Sequence, residues 1–290
     1  MKYTVCILLY CTLFLVNSVH SLLGGTAVPV GTHPSHALVL VNNQPRGGTV
    51  VHVNHVVTSC RNVLNPSDNH LLFPAVFAVR VGSIAIGEGG FVTPIIAVFP
   101  HPEFNPWTFE NDVAVLRTTN PIQFDALPSP NVAPAVFNER IIADQTNCVV
   151  VGFNNPVAGV TPLQELLQPI LNRDTQCNVE TVHSGRVSES MFCAGTVAAT
   201  SGICNTTIGG GIYCNGAFTG IATSGEDCGS PNSPGIYTQV RHHIQWITQQ
   251  YTRTEIPHGG TTPAPGVSAG ILSTIASSLL ISWAFLLTKL

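Results

Sequence analysis

The chain has 290 residues, 44% of them apolar and only 9% charged, enough for one large domain or two halves of one. Its two lysines, Lys2 and Lys289, sit at the extreme ends, so the body between them carries nine Arg against fifteen Asp plus Glu, a formal charge of −6 with no basic run. That balance gives nucleic acid and heparin-like partners no electrostatic footprint.

Residues 1–21 place Lys2 ahead of the apolar stretch Val5 to Val16 and the small, polar run Asn17 to Ser21, which reads as a secretory signal peptide cut near Ser21. Beyond it, short runs rich in Val, Ile and Phe recur between turn residues. They are Ala37 to Val41, Val50 to Thr58, Val76 to Val81, Ile95 to Phe99, Val113 to Arg117, Cys148 to Phe153, Ile212 to Cys214, Ala217 to Thr223 and Gly235 to Val240. No regular alternation with long helices intrudes, so the class is all-β. The proline-rich stretch Pro121 to Pro134 is the natural crossing between two sub-barrels, about 22–135 and 136–256. One body helix is expected at Val240 to Tyr251, with Ile244, Ile247 and Tyr251 at helical spacing.

A Pro, Gly and Thr-rich linker, 257–266, leads into the apolar tail 267–290. The tail is long enough to span a bilayer. Small residues, a spacer and an apolar run with almost nothing after it fit a GPI-attachment signal better, because Lys289 is a weak cytoplasmic stop. Candidate attachment residues are Gly259, Gly260, Gly266 and Ser268. The localisation that follows is the extracellular side of the cell surface, with a secreted form as the alternative.

Cys6 and Cys11 leave with the signal peptide, and seven cysteines remain: Cys60, Cys148, Cys177, Cys193, Cys204, Cys214 and Cys228. Their number is odd, and six fall in the second half of the body, so Cys60 is the expected free thiol, read as a small buried residue. Histidine pairs such as His33/His36 and His52/His55 lack the remaining ligands of a zinc site, and no metal or cofactor is expected. Asn205-Thr206-Thr207 is the sole N-glycosylation sequon. Asn42 to Pro45 and Asn154 to Pro156 read as surface turns and as candidate contact sites.

From Leu22 to Tyr251 the residues resemble the trypsin-like (chymotrypsin-fold) serine proteases. Leu22 to Gly25 looks like that family's mature N-terminus. His101 to Asn105, followed by Glu110 to Leu116, resembles the segment that carries the catalytic aspartate, here Asp112. Cys148 to Phe153 resembles the start of the second barrel, and Ser233 to Val240 with Ile244 to Ile247 resembles the last strand and terminal helix. The resemblance implies two six-stranded antiparallel β-barrels of the trypsin-like type with a C-terminal helix. It also implies bridges Cys148–Cys214, Cys177–Cys193 and Cys204–Cys228; the bridge beside the family's histidine has lost both ends, to Arg46 and Asn62.

Acyl transfer in this family needs a nucleophilic Ser, a His to take its proton, a buried Asp to orient the His and backbone N–H groups for the oxyanion. The segment Val56 to Asn62 places Arg61 at the histidine position, and a guanidinium, always protonated, presents only donors. Cys204 and Cys214 enclose nine residues, the family's interval, which places Ile208 at the serine, Thr207 at the activation carboxylate and Thr206 at the oxyanion-hole glycine. Asp112 survives alone, either hydrogen-bonded to backbone or paired with Arg61. Thr223-Ser224-Gly225 replaces the wall that holds a substrate backbone, leaving a groove where an extended peptide could add as a strand.

The reading that follows is a non-catalytic serine-protease homologue acting as a binding or regulatory protein in an extracellular proteolytic or immune cascade. Its expected partner is a protein, such as an active serine protease or another cascade component, with membrane contact through the tail. An adhesion or receptor-like surface protein is the alternative, and an unconventional serine endopeptidase the second alternative.

Overall fold

The computed structural model describes residues 22–124, 132–153, 162–197, 201–225 and 229–254. All of them belong to one compact unit, Met1–Pro257. The expected signal peptide, tail, attachment residues, Cys228 and the Asn154 to Pro156 turn lie outside the described residues, as does the middle of the proline-rich crossing.

The strands are β1 (Leu22–Leu23), β2 (Thr26–Ala27), β3 (His36–Val41), β4 (Gln44–His52), β5 (His55–Thr58), β6 (Phe77–Val81), β7 (Phe91–Pro100) and β8 (Ala114–Thr118). Then follow β9 (Asn147–Phe153), β10 (Leu163–Leu171), β11 (Met191–Ala194), β12 (Gly202–Ile203), β13 (Gly211–Cys214), β14 (Ala217–Ser224) and β15 (Gly235–Gln239). A short helix, α1 (Ile244–Gln249), comes last.

The first barrel closes in the order β3-β4-β5-β8-β7-β6. The second runs β11-β15-β14-β13-β9-β10 and closes where Ile170 and Leu171 of β10 meet Ala194 and Cys193 of β11. Both are six-stranded and antiparallel, the architecture that the resemblance implies. Period-two patterning explains the closure: along β6, Phe77, Val79 and Val81 are buried while Ala78 and Arg80 are partly exposed, so alternate side chains fill the interior. Val39, Val56, Phe77 and Leu116 pack in the first core, and Val150, Phe192, Ile212 and Tyr237 in the second.

A third cluster joins the barrels: Val57, Phe99 and Val115 from the first, Phe218 and Ile221 from the second, and Val240 and Ile247 from the C-terminal segment. Each such side chain removed from water contributes about 1.5–3 kcal/mol. The crossing chain serves both barrels, since Ala135 N–H donates to the Val50 carbonyl at 2.8 Å and Asn138 N–H to the Phe218 carbonyl at 3.0 Å.

Three details differ from the sequence reading. Val50 to Thr58 is not one strand: a turn at Val53 and Asn54 folds it back so that His52 pairs with His55, and no Gly or Pro marks that turn. The first sub-barrel does not begin at residue 22, because β1 pairs with β12 and β2 with β10 of the second barrel. Strands β10 and β11 were not foreseen; the Gln, Glu and Pro residues inside Leu163–Leu171 conceal its alternation.

Candidate functional site

The site lies where the barrels meet. Gly47 of β4 runs against the turn before β13, its N–H donating to the Ile208 carbonyl at 3.0 Å. A Cβ at Gly47 would stand 2.3 Å from the Gly210 nitrogen, so only glycine allows this backbone approach. Gly209 has φ +88, and a Cβ there would strike Thr58 Oγ1 at 2.2 Å.

Strand β5 ends in a single turn, Cys60–Asn62, capped by Ser59, whose Oγ accepts from the Arg61 N–H at 3.2 Å. The same hydroxyl donates to Asp112 Oδ2 at 2.6 Å, and Arg61 N–H donates to Asp112 Oδ1 at 3.0 Å. Asp112 is fully buried. Burial raises its carboxyl to about 6, outweighing the Ser59 hydroxyl and the Arg61 N–H, which favour the anion.

Of the two roles expected for Asp112, the backbone-bound one is present and the pairing with the Arg61 side chain is not. The guanidinium turns away: Nη1 donates to the Thr223 carbonyl at 2.7 Å, and Cζ lies 4.0 Å from the centre of the Phe109 ring. A charge-assisted bond to a carbonyl and a cation–π contact satisfy a cation without the burial of an ion pair. Phe109 holds its ring there with φ +59, a backbone region that costs a bulky residue about 1–3 kcal/mol.

Ile208 is 4% exposed and offers no nucleophilic atom. Its carbonyl also accepts from Asn62 Nδ2 at 2.8 Å, while that amide reaches Thr58 Oγ1 at 3.0 Å. Asn62 thus fastens the turn by hydrogen bonds where the family's pattern implies a half-cystine. The segment Asn205–Thr207 is itself a tight turn, and Ile208 N–H donates to the Asn205 carbonyl at 3.3 Å. A donor of the implied oxyanion hole is therefore engaged internally. Thr206 Oγ1 is buried without a hydrogen-bond partner.

Thr207 is fully buried, and a Cβ on Gly152 would stand 3.1 Å from its Cγ2. Leu22 is also fully buried, its strand paired with Gly202 and Ile203. The segment that resembles a mature N-terminus thus sits in the second barrel, with a threonine at the carboxylate position.

Cys148–Cys214 and Cys177–Cys193 are bonded. Cys204 is also in a disulfide; its expected partner, Cys228, lies outside the described residues. Cys60 is free and buried, and burial, reinforced by the Asp112 charge, pushes its thiol well above the usual range. Among the described residues the group with metal-ligand spacing is Cys177, His183 and Cys193, but its two sulfurs are joined to each other. Asn205 is exposed and lines an open cavity of about 680 Å³ with Arg46, Arg61 and Ile208. Asn42 and Gln44 border the same cavity, so the Asn42 to Pro45 turn faces the site.

Sequence reasoning placed Arg61, Asp112 and Ile208 together and missed Ser59, Asn62, Phe109 and the Thr223 carbonyl as the groups that hold them. Ser59, two residues before Arg61 at the end of a β run, was the one available signal, as an N-cap.

The trypsin family model matches residues 22–247. Anionic trypsin of the dog, Canis lupus familiaris, is 33% identical over 154 residues, 52% of this chain and 60% of that protein. Trypsin of Xenopus laevis is 31% identical over 58% of this chain and 69% of its own length. Human serine protease 56 is 28% identical over 79% of this chain and 38% of its own. With the paired barrels, the two bridges and a family match over most of its length, the chain belongs to the trypsin-like serine protease family.

Proposed function

We propose that this is a non-catalytic serine-protease homologue that works outside the cell as a binding or regulatory protein, the paired barrels serving as a rigid scaffold. One observation carries the reading: the base and nucleophile positions hold Arg61 and Ile208, and the Ile208 N–H is engaged by the Asn205 carbonyl. A guanidinium cannot remove a proton, an isoleucine cannot attack a carbonyl, and an engaged N–H cannot meet an oxyanion. The named relatives are proteases by name, and the reading rests on the family resemblance that puts Arg61 and Ile208 at the base and nucleophile positions.

Five disulfide-bonded cysteines in the second half of the body support export, and the composition of the two ends supports a signal peptide and a GPI-linked surface protein. A protein partner fits this setting, an active serine protease or another component of an extracellular cascade. Two assays on the purified protein test the reading. A mixed library of peptide substrates should remain uncleaved, and addition of the protein to active trypsin-like proteases should alter the rate or specificity of one of them. Turnover of any library member that survives removal of contaminating proteases contradicts it. Phosphatidylinositol-specific phospholipase should release the protein from cells; retention after confirmed enzyme action argues for a spanning anchor.

A further inference from the structure

The cavity in front of Arg61 and Ile208 has a charge pattern of its own. Among the described residues its lining includes Arg46 and Arg61 and no Asp or Glu. The ion pairs among the described residues are His33 with Glu165, His70 with Asp68, and Arg173 with Asp174 and Glu189; neither arginine of the cavity takes part in one. Arg46 and Arg61 each donate one side-chain hydrogen bond, to the carbonyls of Pro45 and Thr223. A guanidinium has five donors, so several on each remain for a ligand. Burial, and after it the neighbouring charge of Arg61, lowers the pKa of Arg46, and the two cations share one opening. Asp112 offsets part of the Arg61 charge, but its oxygens are taken by the Ser59 hydroxyl and the Arg61 N–H and it does not line the opening.

The surroundings suit a peptide rather than a small anion. One carboxylate occupies a small part of about 680 Å³. Phe104 and Pro106 supply apolar wall, and the next residue, Trp107, is 86% exposed. Its loop is pinned, since Asn105 Oδ1 accepts from the N–H groups of Trp107 at 2.9 Å and Thr108 at 3.2 Å. An exposed indole on a held loop whose neighbours Phe104, Pro106 and Phe109 line the cavity has the composition of an interface hot spot, with little ordering left to do on binding. Arg61 already donates to the Thr223 carbonyl and so competes with addition of a strand there, which gives side chains the larger part in recognition.

We propose that this cavity binds an acidic peptide segment of a partner protein, with a Glu or Asp carboxylate held by Arg46 and Arg61 and neighbouring residues packed on Trp107. The proposal rests on the non-catalytic reading, since it places a ligand where a substrate would otherwise react. The body's net negative charge provides no long-range attraction for such a ligand, so discrimination must come from these contacts.

The test uses the full-length Asn205→Gln protein from secreting cells, so that no glycan at position 205 covers the cavity. The probe is a fluorescein-labelled peptide of alternating Glu and Gly, with a Gln and Gly peptide as the neutral control. The Glu peptide should bind at least about tenfold more tightly than the control. R46Q and R61Q should each weaken it by about tenfold or more, the scale of losing one charge-assisted contact. R140Q, at a residue outside the cavity lining, should leave it unchanged. W107A alters an exposed side chain without threatening the fold and should weaken the Glu peptide several-fold. Equal binding of the two peptides, or Glu-peptide binding indifferent to R46Q, R61Q and W107A together, overturns the proposal. Displacement by a sulfated oligosaccharide at lower concentrations than by unlabelled Glu peptide overturns the peptide assignment. The same preparation is assayed for peptide hydrolysis: turnover refutes the non-catalytic reading, whereas no turnover and no Glu-dependent binding refutes this inference alone.

Discussion

The Arg61 guanidinium is bonded to the Thr223 carbonyl at 2.7 Å, on the strand that a substrate backbone would line, while the N–H of the same residue holds Asp112. The residue at the base position thus closes part of the peptide groove with its side chain and preserves the aspartate's environment with its main chain. The buried carboxylate of Asp112 is thereby satisfied without an ion pair to the Arg61 side chain.

Replacing only the two reacting residues should not recover hydrolysis. In R61H/I208S the N–H at position 208 still meets the Asn205 carbonyl, and Thr207 still stands where the activation carboxylate belongs. A lost oxyanion donor alone costs about 10²–10³ in rate. Adding T206G and T207D should therefore raise peptide-ester hydrolysis by at least about 10² over the double variant. Equal rates in the two variants contradict the assigned role of the Asn205–Thr207 turn.

Gly47 is where the barrels touch backbone to backbone. A methyl group there would meet the Gly210 nitrogen at 2.3 Å and the Thr207 carbonyl oxygen at 2.7 Å. Gly47→Ala should cost more than about 4 kcal/mol in urea unfolding, or prevent folding. Gly87→Ala, which meets nothing within 4 Å, should change stability by less than about 1 kcal/mol. Similar losses in both would contradict this description of the interface.

Histidine burial sets the response to acid. Burial, with the charge of His33 adding to it, lowers His36 from 6.5 to about 3, and both its ring nitrogens are buried without hydrogen-bond partners. His55 and His243 are lowered to about 4, each mainly by burial. Such groups bind more protons when unfolded, so their contribution is complete above pH 6.5 and is lost as pH falls toward their folded values. Asp112, raised to about 6, acts oppositely, favouring the fold below its ordinary value of 3.8 and losing that contribution as pH rises through 6. Three histidines outweigh one carboxylate, and unfolding free energy should decline from pH 6.5 toward 4.5. His36→Leu should flatten that decline by about 2 kcal/mol at pH 5. Denaturant titrations across this range check it, and unchanged slopes would remove His36 from the explanation.

The Cys60 thiol is buried and its pKa is raised, so it should resist alkylation. Iodoacetamide at pH 8 is expected to leave it unmodified in the folded protein and to react once denaturant is added, as read by peptide mass spectrometry. Rapid labelling of the native protein contradicts the burial.

Much of the fold was legible because Val and Ile-rich runs at Cys148 to Phe153 and Ala217 to Thr223 sit on strands, and because the Cys204 to Cys214 interval fixes the register of Ile208. Strand β10 was hidden by Gln164, Glu165, Gln168 and Pro169 within it. The exchange of ends, with Leu22 in the second barrel and Ile247 against the first, depends on contacts between distant segments that local pattern does not carry. At the site, residue identity in the sequence was enough to place Arg61 and Ile208 at the base and nucleophile positions of the resemblance. The direction of the Arg61 side chain depends on Phe109 and Thr223, which no spacing rule connects to it.

A fluorophosphonate probe applied to the purified protein, followed by intact-mass measurement, tests the central claim most directly. The expected result is no adduct under conditions in which an equal amount of active trypsin is fully labelled. A stoichiometric adduct on the folded protein, lost on denaturation and mapped to Thr206 or Thr207, would contradict it by showing that a neighbouring hydroxyl has taken over the nucleophile's role.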